Sequence, residues 1–367
     1  FFMQYTDLVS PENIFVAFDE FKRGKRKKED VMYFEKNLEE NVFELSEQLM
    51  TKTYMHGSYT NFAICDPKYR MISKASVRDR VVHHVLFNYL YGIFDKTFIF
   101  HSYSSRLTKG THIGVKNFHK KMRKASENFR KPCYALKCDI KKFFASINHT
   151  VLMELLAEKV TDPDIVWLVR NVIDSYSNSP DTGLPLGNVT SQLLANVYLN
   201  QLDRFIKHDL HVKHYFRYAD DFVLLHQDKD YLEKLIDSIG NFLDEELKLR
   251  LHPQKVFIQK LKQGVDFLGY VCFPYCRTIR TKTKKRMFKK LNQRKNEMQM
   301  KEITAESFNQ TLQSYLGPLK HANSHRLIKK LENLAGFKSL EEIEALYPLP
   351  LIPKEVASCL GLLYDKR

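Results

Sequence analysis

HYFRYADDFVLLH, residues 214–226, places two adjacent acids, Asp220 and Asp221, between two apolar runs. In a half-buried strand successive side chains point to opposite faces, so neighbouring acids cannot both be surface residues of one regular strand. We therefore predict a β-hairpin with both acids at its turn. Two carboxylates at a buried turn repel each other unless a cation offsets their charge, and hard oxygen ligands favour magnesium.

A second strand-like run, CYALKCDI (133–140), ends at a third acid, Asp139. A strand placed beside the hairpin brings Asp139 within reach of Asp220 and Asp221. Three carboxylates in one place predict a two-metal site, which activates a 3′-hydroxyl and stabilises a departing pyrophosphate. An Asp-Asp pair alone is most often an ordinary turn, so this interpretation depends on the motifs around it.

The composition favours a polyanionic partner. The 367 residues include 58 Lys and Arg against 43 Asp and Glu, and the net charge of +15 attracts nucleic acid through counterion release. The longest uncharged run, Thr182–Leu202, is rich in Asn, Gln, Ser and Thr, and no window offers the roughly 18 apolar residues of a spanning helix. We therefore expect no membrane association. The length suits one to three folded domains.

The N-terminal stretch lacks a basic segment leading into an apolar one, so we expect no secretory signal and a cytoplasmic location. Six cysteines, at positions 65, 133, 138, 272, 276 and 359, are too few and too scattered for a disulfide framework. Cys272 and Cys276 lack a second Cys or His pair at zinc-site spacing. We expect reduced thiols.

The pattern along the chain predicts an α+β protein. Apolar residues at helical spacing predict helices over Val31–Leu49 and Val77–Phe94, and alternating residues around Asp66-Pro67 predict a hairpin within Tyr54–Ile72. A helix starting near Val189 is predicted from its apolar stripe, whose plain interpretation is core packing: Leu193, Leu194, Val197, Tyr198, Leu202, Phe205 and Ile206.

The last third of the chain combines a short strand-like run with basic helical segments. Beyond Gly264, the run VDFLGYVCF (265–273) is strand-like, and KTKKRMFKKLNQRK (282–295) predicts a strongly basic helix. Two further helical stretches follow it. We expect this part of the chain to form a separate helical domain.

Five motifs resemble those of reverse transcriptases, in the expected order. They are DIKKFFASINH (139–149), GLPLGNVTSQLLANVYLNQLD (183–203), YADD (218–221), LKLRLHPQK (247–255) and FLGY (267–270). The resemblance implies a right-hand polymerase fold with fingers, a ferredoxin-like palm and a helical thumb. It places the fingers at 1–130 with a further part at about 152–185, the palm at 131–280, and the thumb with a C-terminal tail at 281–367.

The resemblance also implies roles for individual residues. Asp139 and Asp220 would be the main metal ligands and Asp221 a weaker one, with Ile140 counted beside them. The ions would be two Mg²⁺, with Mn²⁺ as a substitute. Phe144, five residues after Asp139, would block a ribose 2′-hydroxyl.

Further substrate contacts are implied in the same way. They are Lys68 and Arg70 on the triphosphate, Leu186, Gly187 and Gln192 beside the incoming nucleotide, Tyr218 near the primer end, Lys255 as proton donor to pyrophosphate, and Phe267, Leu268, Gly269 and Tyr270 as primer grip. Ordinary interpretations stay open for these residues. An exposed lysine is commonly just solvated, and an aromatic beside a buried turn is commonly core.

The motif at 183–203 narrows the resemblance. Group II intron and retroviral enzymes usually carry Gln before its glycine and end it in Ser-Pro, whereas this chain has Leu186-Gly187 and Ser191-Gln192. That form is similar to reverse transcriptases of diversity-generating retroelements, as are the stretches 69–84, 102–112 and 314–327. Gln can hydrogen-bond near the incoming sugar and base, whereas Leu only fills space. We therefore expect error-prone synthesis, with adenine as the mutated template base.

The expected activity is that of an RNA-directed DNA polymerase. It would copy a structured template RNA from a cDNA or DNA primer, using deoxynucleoside triphosphates, and the resemblance implies a small basic accessory protein as partner. Two alternatives stay open. One is an antiphage-defence, retron-like or group II intron-like reverse transcriptase, and the other is a non-catalytic RNA-binding protein with a degenerate polymerase fold. The intact acids and Phe144 argue against the second.

Overall fold

The structure is a computed structural model that describes residues 3–65 and 68–335 of the chain. Helices and strands are mixed in these residues, which confirms the α+β prediction. No described helix is both long enough and apolar enough to cross a bilayer. The predicted Asp66-Pro67 bend, the tail from residue 336 onward and Cys359 lie outside the described residues.

The helices are α1 (Tyr5–Leu8), α2 (Pro11–Phe21), α3 (Glu29–Lys36), α4 (Leu38–Met50), α5 (Val77–Phe94), α6 (Thr111–Ala125), α7 (Phe143–Ser146), α8 (His149–Ala157), α9 (Pro163–Asp174), α10 (Val189–Arg204), α11 (Lys229–Glu245), α12 (Thr281–Gln299), α13 (Ala305–Leu319) and α14 (His325–Ala335). The strands are β1 (Thr60–Ile64), β2 (Arg70–Lys74), β3 (Tyr134–Asp139), β4 (His214–Tyr218), β5 (Asp221–His226), β6 (Phe257–Lys260), β7 (Val265–Phe267), β8 (Tyr270–Cys272) and β9 (Arg277–Ile279).

Local sequence sets several helix ends. Ser10 and Asp162 each accept a backbone N–H of the following turn, and a proline occupies the next position in both helices. Helix α5 has the predicted bounds, Val77–Phe94. The helix predicted over Val31–Leu49 is instead two helices, because Asn37 leaves the helical region at φ −118° and ψ 45°.

Strands β3 to β6 form one antiparallel sheet in the order β4-β5-β3-β6. With the intervening helices, this is the βαββαβ connection of a ferredoxin-like sheet. The predicted hairpin is confirmed as the β4–β5 pair, and Asp221 at the start of β5 lies opposite both Tyr218 of β4 and Asp139 of β3. The end of β3 therefore meets the bend of the hairpin.

This sheet separates two hydrophobic cores, because its side chains alternate between faces. On β3, Leu136 and Cys138 enter the first core and Ala135 the second; on β5, Phe222 enters the first and Val223 the second. The first core includes α2 to α5 and α8 to α11. The second includes α6, β7 to β9 and the C-terminal helices α12 to α14.

Helix α10 confirms the stripe predicted from Val189. Its apolar residues are buried in the first core: Leu193, Leu194, Val197, Tyr198 and Leu202. Phe205 and Ile206 fall in the short π-helical turn that follows α10. Helix α10 therefore contributes a continuous row of buried side chains to the first core.

Two smaller sheets flank the main one. Strands β1 and β2 pair over Thr60–Ile64 and Arg70–Lys74, which confirms the hairpin predicted there. The strand-like run at 265–273 is two strands, since it bends at Leu268 and Gly269 with φ of 52° and 89°. Positive φ at both central residues is the pattern of a type I′ turn. Helices α12 to α14 match the three predicted C-terminal helices, and their buried side chains share the second core with α6.

Candidate active site

The bend of the β4–β5 hairpin contains two residues, Ala219 and Asp220. Ala219 has a φ of 52°, a left-handed conformation that costs an L-residue roughly 1–2 kcal/mol. Asp220 occupies the bend as predicted, whereas Asp221 is the first residue of β5. The prediction that both acids lie in the turn is therefore wrong for Asp221. The bend is only two residues long, so Asp221 already pairs with Tyr218 as part of the strand.

Strand β3 adds the third acid. Asp139 ends β3 directly opposite Asp221, and the Ile140 N–H donates to the Asp220 carbonyl at 3.3 Å. The alternation of the sheet puts the Asp139 and Asp221 side chains on the same face, that of the second core. Like charges directly opposite each other destabilise a sheet. The cluster therefore needs compensating cations.

Two lysines supply that compensation. Lys137 Nζ lies 3.2 Å from Asp221 Oδ2 and also donates to the Asp266 carbonyl at 2.8 Å, which links the main sheet to β7. Lys255 Nζ lies 2.7 Å from Asp139 Oδ1, and its side chain is 41% exposed. Lys255 was predicted at the site from its motif. Lys137 was missed, although its position two residues before Asp139 places it on the same face of a strand.

The surroundings of Asp220 and Asp221 disfavour the charged form of both carboxyl groups. Burial, followed by the charge of Asp139, raises the pKa of Asp220 from 3.8 to about 6. Burial also raises the pKa of Asp221, while the charge of Lys137 lowers it in part. Buried acids that repel one another are stabilised in their charged form by a bound cation.

The donor set fits a divalent metal ion. Asp221 Oδ1 is buried and has no hydrogen-bond partner among the described residues, and Asp139 and Asp220 add hard carboxylate oxygens. Ile140 has only its backbone carbonyl to offer. Among the described residues no three His, Cys, Asp or Glu side chains form a preassembled metal cage, and two of the three acids are instead paired with lysines. The described cysteines are free thiols.

A buried ion pair supports the hairpin from behind. Arg217 and Asp203 of α10 are both 0% exposed, and the guanidinium donates to both carboxylate oxygens at 2.7 and 2.6 Å. Tyr215 donates to the same carboxylate at 2.7 Å. Arg217 Nη1 also donates to Asn196 Oδ1 at 3.0 Å and to the Ala219 carbonyl at 3.3 Å, inside the bend. Sequence reasoning missed this pair, although a charged residue within the apolar run HYFRY was a signal that it needs a buried partner.

The β1–β2 hairpin docks on the segment that precedes α10. The Ser73 N–H donates to the Leu186 carbonyl at 3.0 Å, and the next residue, Gly187, has a φ of 118°. A Cβ on Gly187 would lie 2.9 Å from Ile72 Cγ2, so the close approach requires glycine. Leu186 is half-buried at this junction.

The polar side chains predicted to bind substrate near this junction are exposed. Lys68 and Arg70 belong to the β1–β2 hairpin region, and neither forms an ion pair with a described residue. Gln192, on the first turn of α10, accepts a hydrogen bond from Ser105 Oγ at 2.8 Å. The structure thus brings the hairpin of Lys68 and Arg70 together with Leu186 and Gly187.

Asn188 was not predicted. It precedes α10 and is only 2% exposed, yet neither its Oδ1 nor its Nδ2 has a hydrogen-bond partner in the part of the chain that the structure describes. Unpaired buried amides are costly and usually serve a ligand or an ordered water. The signal in the sequence was an asparagine directly after the Leu186-Gly187 pair.

Two predicted aromatic residues lie near the acids: Phe144 follows Asp139 in the chain, and Tyr218 faces Asp221 across the hairpin. Phe144 lies in α7 just after Asp139, its ring is half-buried, and its carbonyl accepts the Leu184 N–H at 2.7 Å. Tyr218 lies opposite Asp221 and packs toward the second core, where burial raises the pKa of its hydroxyl. Both rings therefore flank the end of the sheet that carries the acids.

The predicted primer-grip residues differ in accessibility. Phe267 and Tyr270 are buried in the second core, and the Phe267 ring lies 4.8 Å from that of Phe118. Leu268 and Gly269, at the bend between β7 and β8, are partly exposed. Any contact with a primer would therefore be made by the bend and not by the two aromatic side chains.

The chain is similar to known reverse transcriptase proteins. Residues 65–272 match the family model described as reverse transcriptase (RNA-dependent DNA polymerase). Protein YkfC of Escherichia coli (strain K12) is 23% identical over 242 residues, which cover 55% of this chain and 63% of that protein. Group II intron-encoded protein LtrA of Lactococcus lactis subsp. cremoris is 21% identical over 303 residues, which cover 63% of this chain and 49% of LtrA.

Neither relative is covered completely, since the matched region spans less than two thirds of each. The family match, however, takes in more than half of this chain, and its residues 65–272 include Asp139, Asp220 and Asp221. The chain belongs to the reverse transcriptase family.

Proposed function

We propose that the protein is an RNA-directed DNA polymerase whose catalytic acids are Asp139, Asp220 and Asp221. The observation that carries the proposal is the register that sets Asp139 opposite Asp221 on one face of the sheet, beside the bend holding Asp220. Two divalent ions bound there would activate the primer 3′-hydroxyl and stabilise the departing pyrophosphate. Mg²⁺ suits the hard oxygen donors, and Mn²⁺ would substitute.

Within this proposal the lysines have separate tasks. Lys255 is exposed enough to reach a departing pyrophosphate, and its contact with Asp139 holds it beside the reaction. Lys137 is more buried, at 12% exposure, and holds Asp221 in place. A metal ion that binds the acids would compete with Lys137 and Lys255 for Asp221 and Asp139.

The substrate contacts follow from the docked hairpin. Lys68 and Arg70 would bind the triphosphate, while Leu186, Gly187 and Gln192 would lie beside the incoming nucleotide. Phe144 would exclude a 2′-hydroxyl, Tyr218 would pack near the primer end, and the bend at Leu268 and Gly269 would hold the primer. The contact between Ser73 and Leu186 supports this grouping, because it joins the two segments directly.

The proposed architecture is a right hand. Residues 131–280 would be the palm, since they contain the ferredoxin-like sheet and the acids. Residues 1–130 and about 152–185 would be the fingers, and 281–367 the thumb and tail. The basic helix α12 at the start of the thumb is suited to a nucleic-acid backbone.

For the biological role we propose error-prone cDNA synthesis from a structured RNA in a diversity-generating retroelement, in the cytoplasm, with a small basic accessory protein. Leu186 supports this role, because it offers the nascent base pair no hydrogen bond. The second candidate is a group II intron-like enzyme, and its support is the similarity to LtrA. The neighbouring DNA separates the two: a near-repeat pair differing mainly at adenines favours the first.

Primer extension tests the central proposal. The full chain is incubated with a DNA primer annealed to an RNA template, the four deoxynucleoside triphosphates and Mg²⁺, and products are resolved on a denaturing gel. We expect extension that stops when the metal is chelated. Absence of extension with both Mg²⁺ and Mn²⁺ would overturn the proposal in favour of a non-catalytic RNA-binding protein.

A further inference from the structure

Helix α6 carries basic side chains that the proposed active site does not use. They are Lys116, Lys120, Lys121, Arg123 and Lys124. The four lysines form no ion pair with any described acid. The opposite face of α6 is apolar and packs on the main sheet through Val115, Phe118 and Met122. The basic face is therefore held firmly outward.

Two clefts lie on either side of this face. The first, of about 890 Å³, is lined by Phe100 and His101, and the second, of about 470 Å³, by Tyr275 and Arg277. Lys120, Arg123 and Asn128 line both clefts. The one acid in these linings, Glu127, is paired with Lys131 at 2.8 Å. The two clefts thus form one continuous positive surface.

Each cleft contains a strongly exposed aromatic ring. Phe100 is 64% exposed, with Lys109 Nζ 3.6 Å from its ring centre, and Tyr275 is 82% exposed. Exposed rings beside lysines are the usual platform for unpaired bases, because bases stack on the rings while phosphates bind the cations. A solvated lysine face would not require two large exposed aromatic side chains.

The surface is distinct from the catalytic acids. Lys121, Lys124, Lys207 and Lys213 surround His214 closely enough that, after burial, their charges contribute to lowering its pKa to about 4. His214 begins β4, whereas the catalytic bend follows its last residue. At 3.4 Å per residue, β4 separates the two places by about 14 Å.

We propose that the α6 face and its two clefts form a second binding site, for single-stranded RNA, apart from the polymerising site. Backbone phosphates bind the lysines, and bases stack on Phe100 and Tyr275. Contacts with backbone phosphates carry no sequence information, so binding is largely independent of sequence. The inference rests on the proposed function only in its choice of RNA as the polyanion.

Charge reversal tests the site in the full chain. Binding of a fluorescent 20-nucleotide oligouridine is measured by anisotropy at several KCl concentrations for wild type and for Lys120→Glu/Lys124→Glu. The matched control is Lys159→Glu/Lys234→Glu, an equal change at two exposed lysines, one just after α8 and one on α11, helices whose buried residues lie in the first core. We expect at least a tenfold rise in Kd for the α6 variant, a smaller salt slope by about 1 to 2, and less than a threefold rise for the control.

The aromatic residues give a second measurement. Phe100→Ala/Tyr275→Ala should raise Kd about tenfold without changing the salt slope, since stacking releases no counterions. Equal losses in the α6 and control variants would overturn the proposal, as would displacement by polyglutamate or duplex RNA as effective as by oligouridine. Thermal melts check that every variant is folded.

The two proposals can fail separately. Asp220→Asn should bind oligouridine as tightly as wild type even though it cannot extend a primer. Suppose that wild type extends no primer, but the α6 variant still binds oligouridine more weakly than wild type. The proposed function then fails and the second site stands. If extension is normal and the α6 variant binds oligouridine like wild type, only the second site fails.

Discussion

At the bend of the β4–β5 hairpin three carboxylates face two lysines, and one buried carboxylate oxygen, Asp221 Oδ1, has no hydrogen-bond partner among the described residues. Two residues earlier, Arg217 and Asp203 form a pair in which every charged atom group is matched by a donor or acceptor. Both groups are largely shielded from solvent. We call the acid cluster with its two lysines the front of the hairpin and the Arg217–Asp203 pair its back. The front has fewer positive than negative charges, whereas the charges of the back are balanced.

The two charge groups respond differently when one member is removed. A balanced buried pair stabilises only while both partners are present, and removing one leaves a costly charge behind. An unbalanced acid cluster costs stability until a cation arrives. Changes at the back should therefore be felt in folding and position, and changes at the front in activity and selectivity.

The largest expected effect on activity is at the front. Asp220→Asn should reduce nucleotide addition at least about a thousandfold, because a metal ligand is lost, while the free energy of unfolding stays equal or rises as repulsion between acids is relieved. Primer extension and a chemical melt on the same sample measure both. Asp237→Asn, an exposed acid on α11, is the matched control. Substantial extension by Asp220→Asn would remove it from the catalytic set.

The largest expected effect on stability is at the back. Asp203→Asn should cost about 3–5 kcal/mol, because the Arg217 charge stays buried without its partner. The exposed pair Arg250–Asp244 is the control, and Asp244→Asn there should cost less than about 1 kcal/mol. Urea melts measure both. A similar small loss at the two sites would mean that the buried Arg217 charge is not left uncompensated when Asp203 is changed.

A paired substitution sharpens the same point. Arg217→Met/Asp203→Leu removes both charges and should recover most of the stability lost in Asp203→Asn. It should not recover full activity, because the Ala219 carbonyl loses its Arg217 donor. Arg217→Lys, which keeps the charge but not the forked geometry, should lower kcat more than it raises KM. Full kcat in the paired variant would show that Arg217 only supports folding.

The pH dependence of the stability difference between wild type and Asp220→Asn reports on the front of the hairpin. The pKa of Asp220 is raised to about 6 in the folded protein from 3.8, so the folded state takes up this proton before the unfolded state as pH falls. Its contribution to stability is greatest below 3.8 and is lost as pH rises through 6. Metal-free wild type should therefore gain stability relative to Asp220→Asn between pH 8 and pH 4.5. An unchanged gap across that range would contradict the burial and repulsion of Asp220.

Phe144→Ala should change selectivity more than stability. If the ring fills the volume of a 2′-hydroxyl, its loss should reduce discrimination between dATP and ATP by roughly ten- to a hundredfold. Steady-state incorporation of the two nucleotides measures this ratio. Phe43→Ala, at an exposed ring on α4, is the control and should leave the ratio unchanged. An unchanged ratio in Phe144→Ala would reject the proposed role.

The smallest expected effect is at Leu186. Leu186→Gln restores a polar contact near the nascent pair, and each roughly 1.4 kcal/mol of regained discrimination lowers errors about tenfold. Sequencing cDNA made from a defined RNA measures the error rate and its bias toward template adenine. Leu107→Gln, an exposed leucine elsewhere, is the control. A wild type that is already accurate and shows no adenine bias would leave the diversity-generating role without its main support.

Sequence reasoning reached the elements whose signal is local. The helix Val77–Phe94, the stripe of α10 and the strand ending at Asp139 all follow from short-range periodicity. The three acids were placed together because the strand ending at Asp139 was predicted to lie beside a hairpin that carries Asp220 and Asp221 at its bend. The break at Asn37 and the bend at Leu268 were missed, because their backbone angles are set by neighbours and not by apolar spacing.

The contacts that sequence reasoning missed are long-range and polar. Lys137 and Asp203 stand in ordinary positions of a strand and a helix, and only the packing of β3 against β7 and of β4 against α10 gives them partners. The same holds for Asn188, whose lack of a partner is visible only once its burial is known. Periodicity predicts which face is buried but not which polar groups meet inside.

The separation of partners along the chain also sets an order of events during folding. Arg217 and Asp203 are 14 residues apart, whereas Lys255 and Asp139 are 116 residues apart. Loop closure costs about 0.6 kcal/mol more for each doubling of length, so the wider contact begins with a deficit of about 2 kcal/mol. We expect the supporting pair to form with its hairpin, and the catalytic cluster to assemble last, when β3 joins β5 and β6.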